Sequence, residues 1–218
     1  MEYVISVFQK GGPIMYPLLF LGALAIALII ERLYSLSTKK IVPIQAVQEI
    51  LFYLKEGKFT EAYAAAKAKD TIATNIIVGI LEAYVNGKRK REDIEIVADN
   101  MAKAELPKLE AYINAIGAIA AISPLLGFLG TVTGMIQVFE ALSIEGLGNP
   151  DVLAAGISQA LLTTAFGLSI AIPTLAGYWY FKSRVNYLAI QLENIITDVI
   201  LQLPEEEETK WLAAIKVE

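Results

Sequence analysis

The sequence predicts an all-α, polytopic membrane protein with three transmembrane helices, long helices that extend into the cytoplasm and a helical cytoplasmic loop. Hydrophobic residues make up 56% of the 218 residues and charged residues only 19%, a more apolar balance than soluble domains have. The apolar residues also collect in three uncharged runs, residues 11–30, 111–139 and 152–181. Each run is long enough for a helix to cross a hydrocarbon layer of about 30 Å.

These runs divide the chain into six segments. The first run is interpreted as a retained span rather than a cleaved leader, because its apolar stretch continues unbroken to Ile30. The predicted segments are an outer amino terminus with the first span (1–30), a cytoplasmic helical loop (31–110), the second span (111–139), an outer loop (140–151), the third span (152–181) and a cytoplasmic helical tail (182–218).

The positive charges predict the orientation of the chain in the membrane. Of the 18 Lys and Arg residues, 13 lie in residues 31–110 and 4 in residues 182–218, whereas Lys10 is alone before the first span. The loop 140–151 has none. Because positively charged segments stay in the cytoplasm, we expect the amino terminus outside and both the long loop and the tail inside.

The cytoplasmic segments show helical periodicity. Apolar residues recur at helical spacing in 47–54 and 76–84, and turn signals follow at Gly57 and Gly87. From Glu92 onward the main helix breaker is Pro107, so the second span is expected to continue into the cytoplasm. Apolar residues at positions 185, 188, 192, 195 and 199 form a seam, which packs either on the chain's own loop helices or on a second copy.

Two charged clusters are interpreted as solvated segments without a specific function. Residues 88–91 are all basic, but acidic residues follow directly, so a solvated turn is the simpler interpretation than a lipid or targeting site. Residues 205–208 are all Glu and are interpreted as a water-exposed end.

The second and third spans each carry a stripe of small residues with a threonine about midway. Thr131 lies on the stripe of the second span and Thr164 on that of the third. The small residues are Gly127, Gly134, Ala160, Gly167 and Ala171, and Pro124 and Pro173 are candidate kinks that free a backbone carbonyl one turn upstream. The stripes fit two functions, close helix packing or the lining of a narrow polar pathway.

Several classes of chemistry are excluded by composition. The chain has no Cys and no His, so thiolate, imidazole and triad catalysis are absent, and we expect no enzyme activity, no metal site and no cofactor. A net charge of −5 argues against a nucleic-acid partner. None of the three runs contains an acidic or basic residue, so this chain cannot relay a proton without a titratable group from another chain.

Three motifs resemble those of the MotA/TolQ/ExbB proton-channel family, in its three-span ExbB/TolQ-like branch. They are residues 11–13 leading through the first span to 31–33, residues 123–134 followed by Phe139, and residues 156–168 ending in 171–173. The resemblance covers essentially the whole chain. The 33-residue separation of Thr131 and Thr164 makes the pair of span motifs specific.

The resemblance implies an ion-conducting, most simply proton-conducting, motor subunit of the bacterial inner membrane that converts proton motive force into mechanical work on the cell envelope. It implies a homo-oligomeric ring, pentameric in the family, around an ExbD/TolR-like single-span partner whose membrane aspartate carries the proton. Carried over by position, Thr131 and Thr164 are the pore threonines, and the small faces line the pore.

Two positions depart from the family pattern. Gln159 of the ion pathway stands where relatives usually have Glu, and Thr133 where they usually have an aromatic residue. An amide cannot titrate, so either that acid is dispensable or the pathway differs, and a Na⁺-coupled motor stays open. A passive membrane scaffold is the alternative from another functional class.

Overall fold

A computed structural model describes residues 10–145 and 150–204, and all regular structure in these ranges is helical. The helices are α1 (Met15–Ser35), α2 (Thr38–Ile41), α3 (Ile44–Lys55), α4 (Phe59–Lys67), α5 (Ile72–Val85), α6 (Arg91–Glu110), α7 (Ile113–Glu145) and α8 (Pro150–Leu201). They form two compact units. The span unit comprises Met1–Tyr34 and Tyr112–Lys182, and the loop unit comprises Ser35–Ala111 and Ser183–Glu218.

Within residues 10–145 and 150–204, three helices are long and apolar enough to cross a membrane, which confirms the predicted fold class. They are α1, α7 and α8, with mean hydropathies of 1.9, 1.9 and 1.6 in their most apolar windows. α8 has 52 residues, a length of about 78 Å at the helical rise, far more than a bilayer requires. One of the predicted long helical extensions is therefore the carboxyl-terminal part of α8.

Within the span unit, α8 packs against both of the other long helices at glycines. A Cβ added to Gly22 of α1 would lie 3.3 Å from Ile170 Cδ1, and one added to Gly117 of α7 would lie 2.8 Å from Tyr178 Cε2. The remaining faces of these helices are apolar and exposed, at Phe20, Phe128 and Ile172 among others. Such faces suit lipid or a neighbouring protein span.

The loop unit is built from amphipathic helices around an aliphatic core. Its fully buried side chains include Ile50, Ile76, Ile77, Ile80, Leu188 and Val199. The two predicted helical segments correspond to α3 and α5, and the predicted turns follow them. Gly57 and Gly87 have φ values of +72° and +97°, a conformation that glycine adopts without a steric cost.

The seam at the end of α8 packs inside its own chain. Leu188 and Val199 are fully buried, and Val185 and Leu192 nearly so. Arg184 on the same helix donates a hydrogen bond to Thr38 Oγ1 at the start of α2. Of the two packing partners that the sequence left open, the structure therefore shows the chain's own loop helices.

One expectation about the second span is wrong: it does not continue as a single helix into the loop. α6 contains Pro107 and ends only at Glu110, and α7 begins at Ile113. Tyr112 between them has a φ of +61°, a left-handed conformation that interrupts an α-helix. Its ring lies under the guanidinium of Arg32, 5.2 Å from the ring centroid, and this contact offsets part of the backbone cost.

Candidate functional site

The second and third spans meet along a line of small residues in the middle of the span unit. A Cβ added to Gly167 would lie 2.6 Å from Ser123 O and 3.1 Å from Gly127 Cα. A Cβ added to Gly134 would lie 3.0 Å from the carbonyl oxygen of Gly156 and 3.1 Å from Ala160 Cβ. The two backbones are therefore in van der Waals contact, as small residues in membrane helices allow.

The structure brings together most of the small residues predicted from sequence. Gly127, Gly134, Ala160 and Gly167 are all buried in this contact between α7 and α8, and Ala171 is buried further along α8. Within one chain they pack two helices together. Their predicted role in lining a pore stays a prediction.

Thr131 and Thr164 are joined across this contact by their hydroxyls. Thr131 Oγ1 and Thr164 Oγ1 are hydrogen-bonded to each other. Thr131 Oγ1 also donates to the carbonyl of Ala160 at 3.2 Å, and Thr164 Oγ1 donates to the carbonyl of Gly127 at 3.1 Å. Each threonine thus bonds to the facing helix, and both side chains remain half-buried.

The threonine pair, Thr131 with Thr164, has fewer protons than it has hydrogen-bond contacts. Each hydroxyl carries one proton and two lone pairs, and the pair makes three contacts, one mutual and two to carbonyls. Only two of these contacts can carry a proton at any moment. The pair can therefore either donate to a third group or accept from one by rotating a hydroxyl, without moving the backbone.

Two neighbouring threonines behave differently. Thr163 is fully buried and its hydroxyl donates to the carbonyls of Gln159 and Ala160 on its own helix. Thr133 donates to Leu129 O and Gly130 O, also on its own helix. Such bonds one turn back are common for threonine in apolar helices. Among these four threonines only Thr131 and Thr164 make hydrogen bonds to the opposite span.

Both predicted kink prolines lie inside continuous helices. Pro124 is within α7 and Pro173 within α8, and each has a hydroxyl residue beside it. Ser123 Oγ donates to Ile119 O and Thr174 Oγ1 to Ile170 O, both at 2.7 Å. Each bond satisfies a buried hydroxyl next to a proline and ends on a carbonyl in the turn that precedes that proline.

Gln159 does not join the threonine pair, because its side chain lies against the chain before α1. A Cβ added to Gly12 would lie 2.6 Å from Gln159 Nε2. Gln159 is five residues before Thr164, about 7.5 Å along the helix axis. Its predicted place in an ion pathway stays a prediction.

Three residues of the contact were not among the candidates chosen from sequence. A Cβ on Gly156 would overlap Val138 Cγ2, and one on Gly130 would overlap the hydroxyl of Thr163. Gly156, Ala160, Thr163 and Gly167 follow one another at i, i+4, i+7 and i+11, so helical spacing contained the signal for Gly156 and for Thr163. The spacing does not show that Thr163 bonds to its own helix.

The described residues include no cluster of acidic side chains suited to a metal ion. The polar atoms at the threonine pair are the two hydroxyls and the carbonyls of Gly127 and Ala160. They are neutral oxygens in a low-dielectric contact, so they can solvate an ion or an acid there but cannot hold a proton at neutral pH.

The chain resembles proteins of known classes over most of its length. It is 33% identical to the ExbB-like 3 biopolymer transport protein of Synechocystis over 177 residues, 80% of this chain and 83% of that protein. It is 29% identical to the biopolymer transport protein exbB1 of Vibrio cholerae over 210 residues, 93% of this chain and 90% of that one.

A shorter match links the chain to a protein of a second name. It is 35% identical to the Tol-Pal system protein TolQ of Haemophilus influenzae over 94 residues, 43% of this chain and 41% of that protein. The sequence pattern of the MotA/TolQ/ExbB proton channel family matches residues 67–194, which is more than half of the chain and includes both threonines of the pair. With its three long apolar helices, the chain belongs to the MotA/TolQ/ExbB proton channel family.

Proposed function

We propose that this chain is the ion-conducting subunit of a proton-driven motor in the bacterial inner membrane. Several copies, five by resemblance to the family, surround the single span of an ExbD/TolR-like partner and convert proton motive force into work on the cell envelope. The threonine pair carries this proposal, because its hydroxyls are bonded across the two spans that the family pattern includes.

The proton carrier has to come from the partner. The three apolar runs of this chain contain no acidic or basic residue, and a bare charge at the bilayer centre costs at least about 2.5–3.5 kcal/mol. A membrane aspartate of the partner would supply the missing acid. It would be neutral while it crosses the apolar region and ionised where protons enter or leave.

The threonine pair suits such an acid in both of its states. A carboxylate needs hydrogen-bond donors, and a protonated carboxylic acid needs one acceptor. The pair has two protons for three contacts, so it can offer a hydroxyl proton to the first form and a lone pair to the second. Uptake and release of a proton then cost little rearrangement of the helices.

The membrane potential supplies the driving force for this motor. With the amino terminus outside and residues 31–110 inside, each proton that crosses at 100 mV releases about 2.3 kcal/mol. That energy shifts a two-state orientation of the partner by a factor of about fifty. No nucleotide site is needed for such a motor.

Na⁺ is the second candidate ion, because four oxygen atoms lie at the threonine pair. Hydroxyl and carbonyl oxygens are ligands for hard cations. Hydrogen-bond contacts join these four oxygens in a chain that leads from the carbonyl of Ala160 through the two hydroxyls to the carbonyl of Gly127. A passive scaffold, the alternative from another class, would need none of these oxygens.

Proton flux into liposomes tests the proposal. We expect this chain alone to show no flux above empty vesicles, and the chain with its partner to show flux that stops when the partner's membrane aspartate is changed to Asn. Thr131→Val and Thr164→Val should each lower the flux by roughly tenfold or more, since a lost bond to an ionised group is worth about 1.5–3 kcal/mol.

Two variants serve as controls in this assay. Thr131→Ser keeps the hydroxyl and should retain most of the flux, and Thr133→Val removes a hydroxyl bonded only to its own helix and should retain nearly all of it. Equal loss in the Thr131 and Thr133 variants would refute the role of the pair. Flux that follows a Na⁺ gradient at fixed pH would replace the proton with Na⁺.

A further inference from the structure

We propose that the loop unit has a binding pocket for a small organic cation, between α4 and the end of α5. The ligand class is an ammonium or guanidinium group attached to a short apolar body. The pocket lies outside the spans and shares no residue with the threonine pair, so a ligand there is independent of the proposed ion conduction.

The pocket has a volume of about 320 Å³ and a mostly apolar wall. That volume is at the lower end of the range for small-molecule pockets, about 300–1,000 Å³. The wall includes Phe59, Tyr63, Leu81, Glu82, Tyr84 and Val85, and all of these residues belong to the loop unit. An apolar wall with one charged group is the usual composition of a site that orients a small ligand.

Three half-buried aromatic rings line the pocket. Phe59 and Tyr84 are stacked, with ring centroids 5.7 Å apart and ring planes at 24°. Tyr63 follows Phe59 by one helical turn on α4. The face of an aromatic ring carries negative potential and attracts a cation. These rings therefore provide apolar contact that also favours a positively charged ligand.

Two cations of the chain itself already lie over these rings. Lys67 Nζ is 5.4 Å from the ring centroid of Tyr63, and Arg89 Cζ is 5.9 Å from that of Tyr84. Neither Lys67 nor Arg89 lines the pocket, so the described wall has no positive side chain of its own. A cation in the pocket would add to contacts that these rings already make.

Glu82 supplies the negative charge of the pocket. Its Oε1 accepts a hydrogen bond from the hydroxyl of Tyr63 at 2.8 Å, which holds the carboxylate beside an aromatic ring. Within residues 10–145 and 150–204, Glu82 forms no ion pair with Lys or Arg, and its Oε2 accepts no hydrogen bond from the protein. An organic cation can therefore pair with this carboxylate while its apolar body contacts the rings.

The same groups discriminate against other ligands. A neutral molecule of the same shape gains only the apolar contact, and an anion is repelled by both the carboxylate and the ring faces. A peptide would leave backbone amide groups against an apolar wall, which costs free energy when they are unpaired. Charge and size together therefore select a small, free organic cation.

Ligand-detected NMR titration of the full chain in mild detergent tests the pocket, with detergent alone as the blank. The probe is butylguanidinium, and butylurea is a neutral molecule of nearly the same shape. We expect butylguanidinium to bind at least about fivefold more tightly than butylurea, since an exposed ion pair and a cation–π contact each contribute modestly. Equal binding of the two, or no binding of butylguanidinium above the blank, would overturn the proposal.

Glu82→Gln assigns the charge preference to one carboxylate. The substitution keeps the shape of an exposed side chain, and it should weaken butylguanidinium binding about threefold to tenfold while leaving butylurea unchanged. The matched control, Glu61→Gln, removes the same charge from an exposed residue of α4 that does not line the pocket, and it should change binding less than twofold. Equal effects of the two variants would contradict the site, because binding would then follow the overall charge of the loop unit.

Phe59→Leu tests the aromatic wall, since it keeps an apolar side chain and removes the ring. It should weaken butylguanidinium more than butylurea. Phe52→Leu, at an exposed residue of α3 outside the pocket, is the control and should weaken neither. Equal loss of both ligands in Phe59→Leu would refute the role of the ring faces.

N-acetylarginine amide distinguishes a free cation from an arginine side chain of a protein, because it carries the same guanidinium on a peptide backbone. We expect it to bind no more tightly than butylguanidinium, since the wall offers its amide groups few partners. Tighter binding of N-acetylarginine amide, lost in Glu82→Gln, would overturn the assignment to a free cation in favour of a protein partner.

Discussion

The side-chain amide of Gln159 lies against the α-carbon of Gly12, with no space for a Cβ between them. Gly12 also has a φ of +73°, so two separate constraints favour glycine at this position. The relationship connects the residues before α1 to the third span. It gives Gln159 a packing role that the amide fulfils without titrating.

Gly12→Ala should therefore destabilise the span unit. The left-handed conformation alone costs a non-glycine residue about 1–2 kcal/mol, and the overlap with Gln159 adds to that cost. Thermal unfolding of the purified protein in mild detergent measures the loss. Adding Gln159→Ala to Gly12→Ala should restore only the part of the stability that the overlap with Gln159 removes.

Gly57→Ala is the matched control for this effect. Gly57 has nearly the same φ, +72°, but a Cβ there meets nothing within 4 Å. Its substitution should cost only the conformational part in the loop unit. If adding Gln159→Ala to Gly12→Ala restores nothing, the contact between Gly12 and Gln159 does not contribute.

Gly167→Val should disrupt the packing of the second and third spans. Its side chain would meet the backbone at Ser123 and Gly127, which cannot move aside as a flexible side chain can, and overpacking of this kind costs about 1–3 kcal/mol or more. Ala165→Val, on an exposed face of the same helix, is the control and should have little effect. Resistance to unfolding by SDS compares the two, and equal losses would argue against the close contact.

At the helix break at Tyr112, we expect Gly to be more stable than Ala, which is the reverse of their order inside a helix. Ala normally stabilises a helix interior by about 0.8–1.0 kcal/mol relative to Gly. At position 112, where φ is +61°, Tyr112→Gly should be more stable than Tyr112→Ala by about 1 kcal/mol, since both lose the contact with Arg32 and only Ala retains the steric cost.

A comparison of Ala with Gly at position 115 provides the control. Ala115 is exposed within α7, so Ala115→Gly should destabilise the span unit in the ordinary direction. Unfolding in SDS titrations of the four proteins gives both differences. The usual order at position 112 would mean that α6 and α7 are continuous there.

Tyr84 should make the stability of the loop unit depend on alkaline pH. Burial raises the pKa of Tyr84, and the nearby Arg89 opposes this only in part. A raised pKa means that the folded state binds the phenol proton more tightly than the unfolded state. The contribution is complete below the ordinary pKa of about 10 and is lost as pH rises through the higher folded-state value.

Tyr84→Phe isolates this contribution. At neutral pH the variant should lose about 0.5–1.5 kcal/mol, because it lacks the hydrogen bond to the carbonyl of Pro204. Urea titrations should show the difference between the two proteins shrinking above pH 10, since ionised Tyr84 cannot donate that bond either. A difference that stays constant or grows with pH would contradict the assignment.

The sequence predicted the fold class well because its signals are local. Three uncharged runs define α1, α7 and the first part of α8, and the glycines at 57 and 87 mark turns that need no tertiary context. The break at Tyr112 was missed because tyrosine carries no breaker signal. Its ring contacts Arg32, which is distant in sequence, so the local sequence does not show this contact.

The candidate site was predictable in its residue types but not in its pairings. Helical spacing put Thr131 and Thr164 on small faces, and family resemblance joined them. Only packing distinguishes the hydroxyls of this pair from that of Thr163, which is adjacent to Thr164 yet bonds to its own helix. The contact between Gln159 and Gly12 could not be predicted either, because it depends on how α8 packs against the residues before α1.

The close contact at Gly127 and Gly167 has a genetic consequence. A gap that a single methyl group would fill has no volume for a water file, so an ion cannot pass between the second and third spans of one chain at this level. In the proposed ring, any conducting surface is then shared among polypeptides. A defective allele expressed beside an intact one should in that ring be dominant, because each faulty copy impairs the intact copies with which it would assemble.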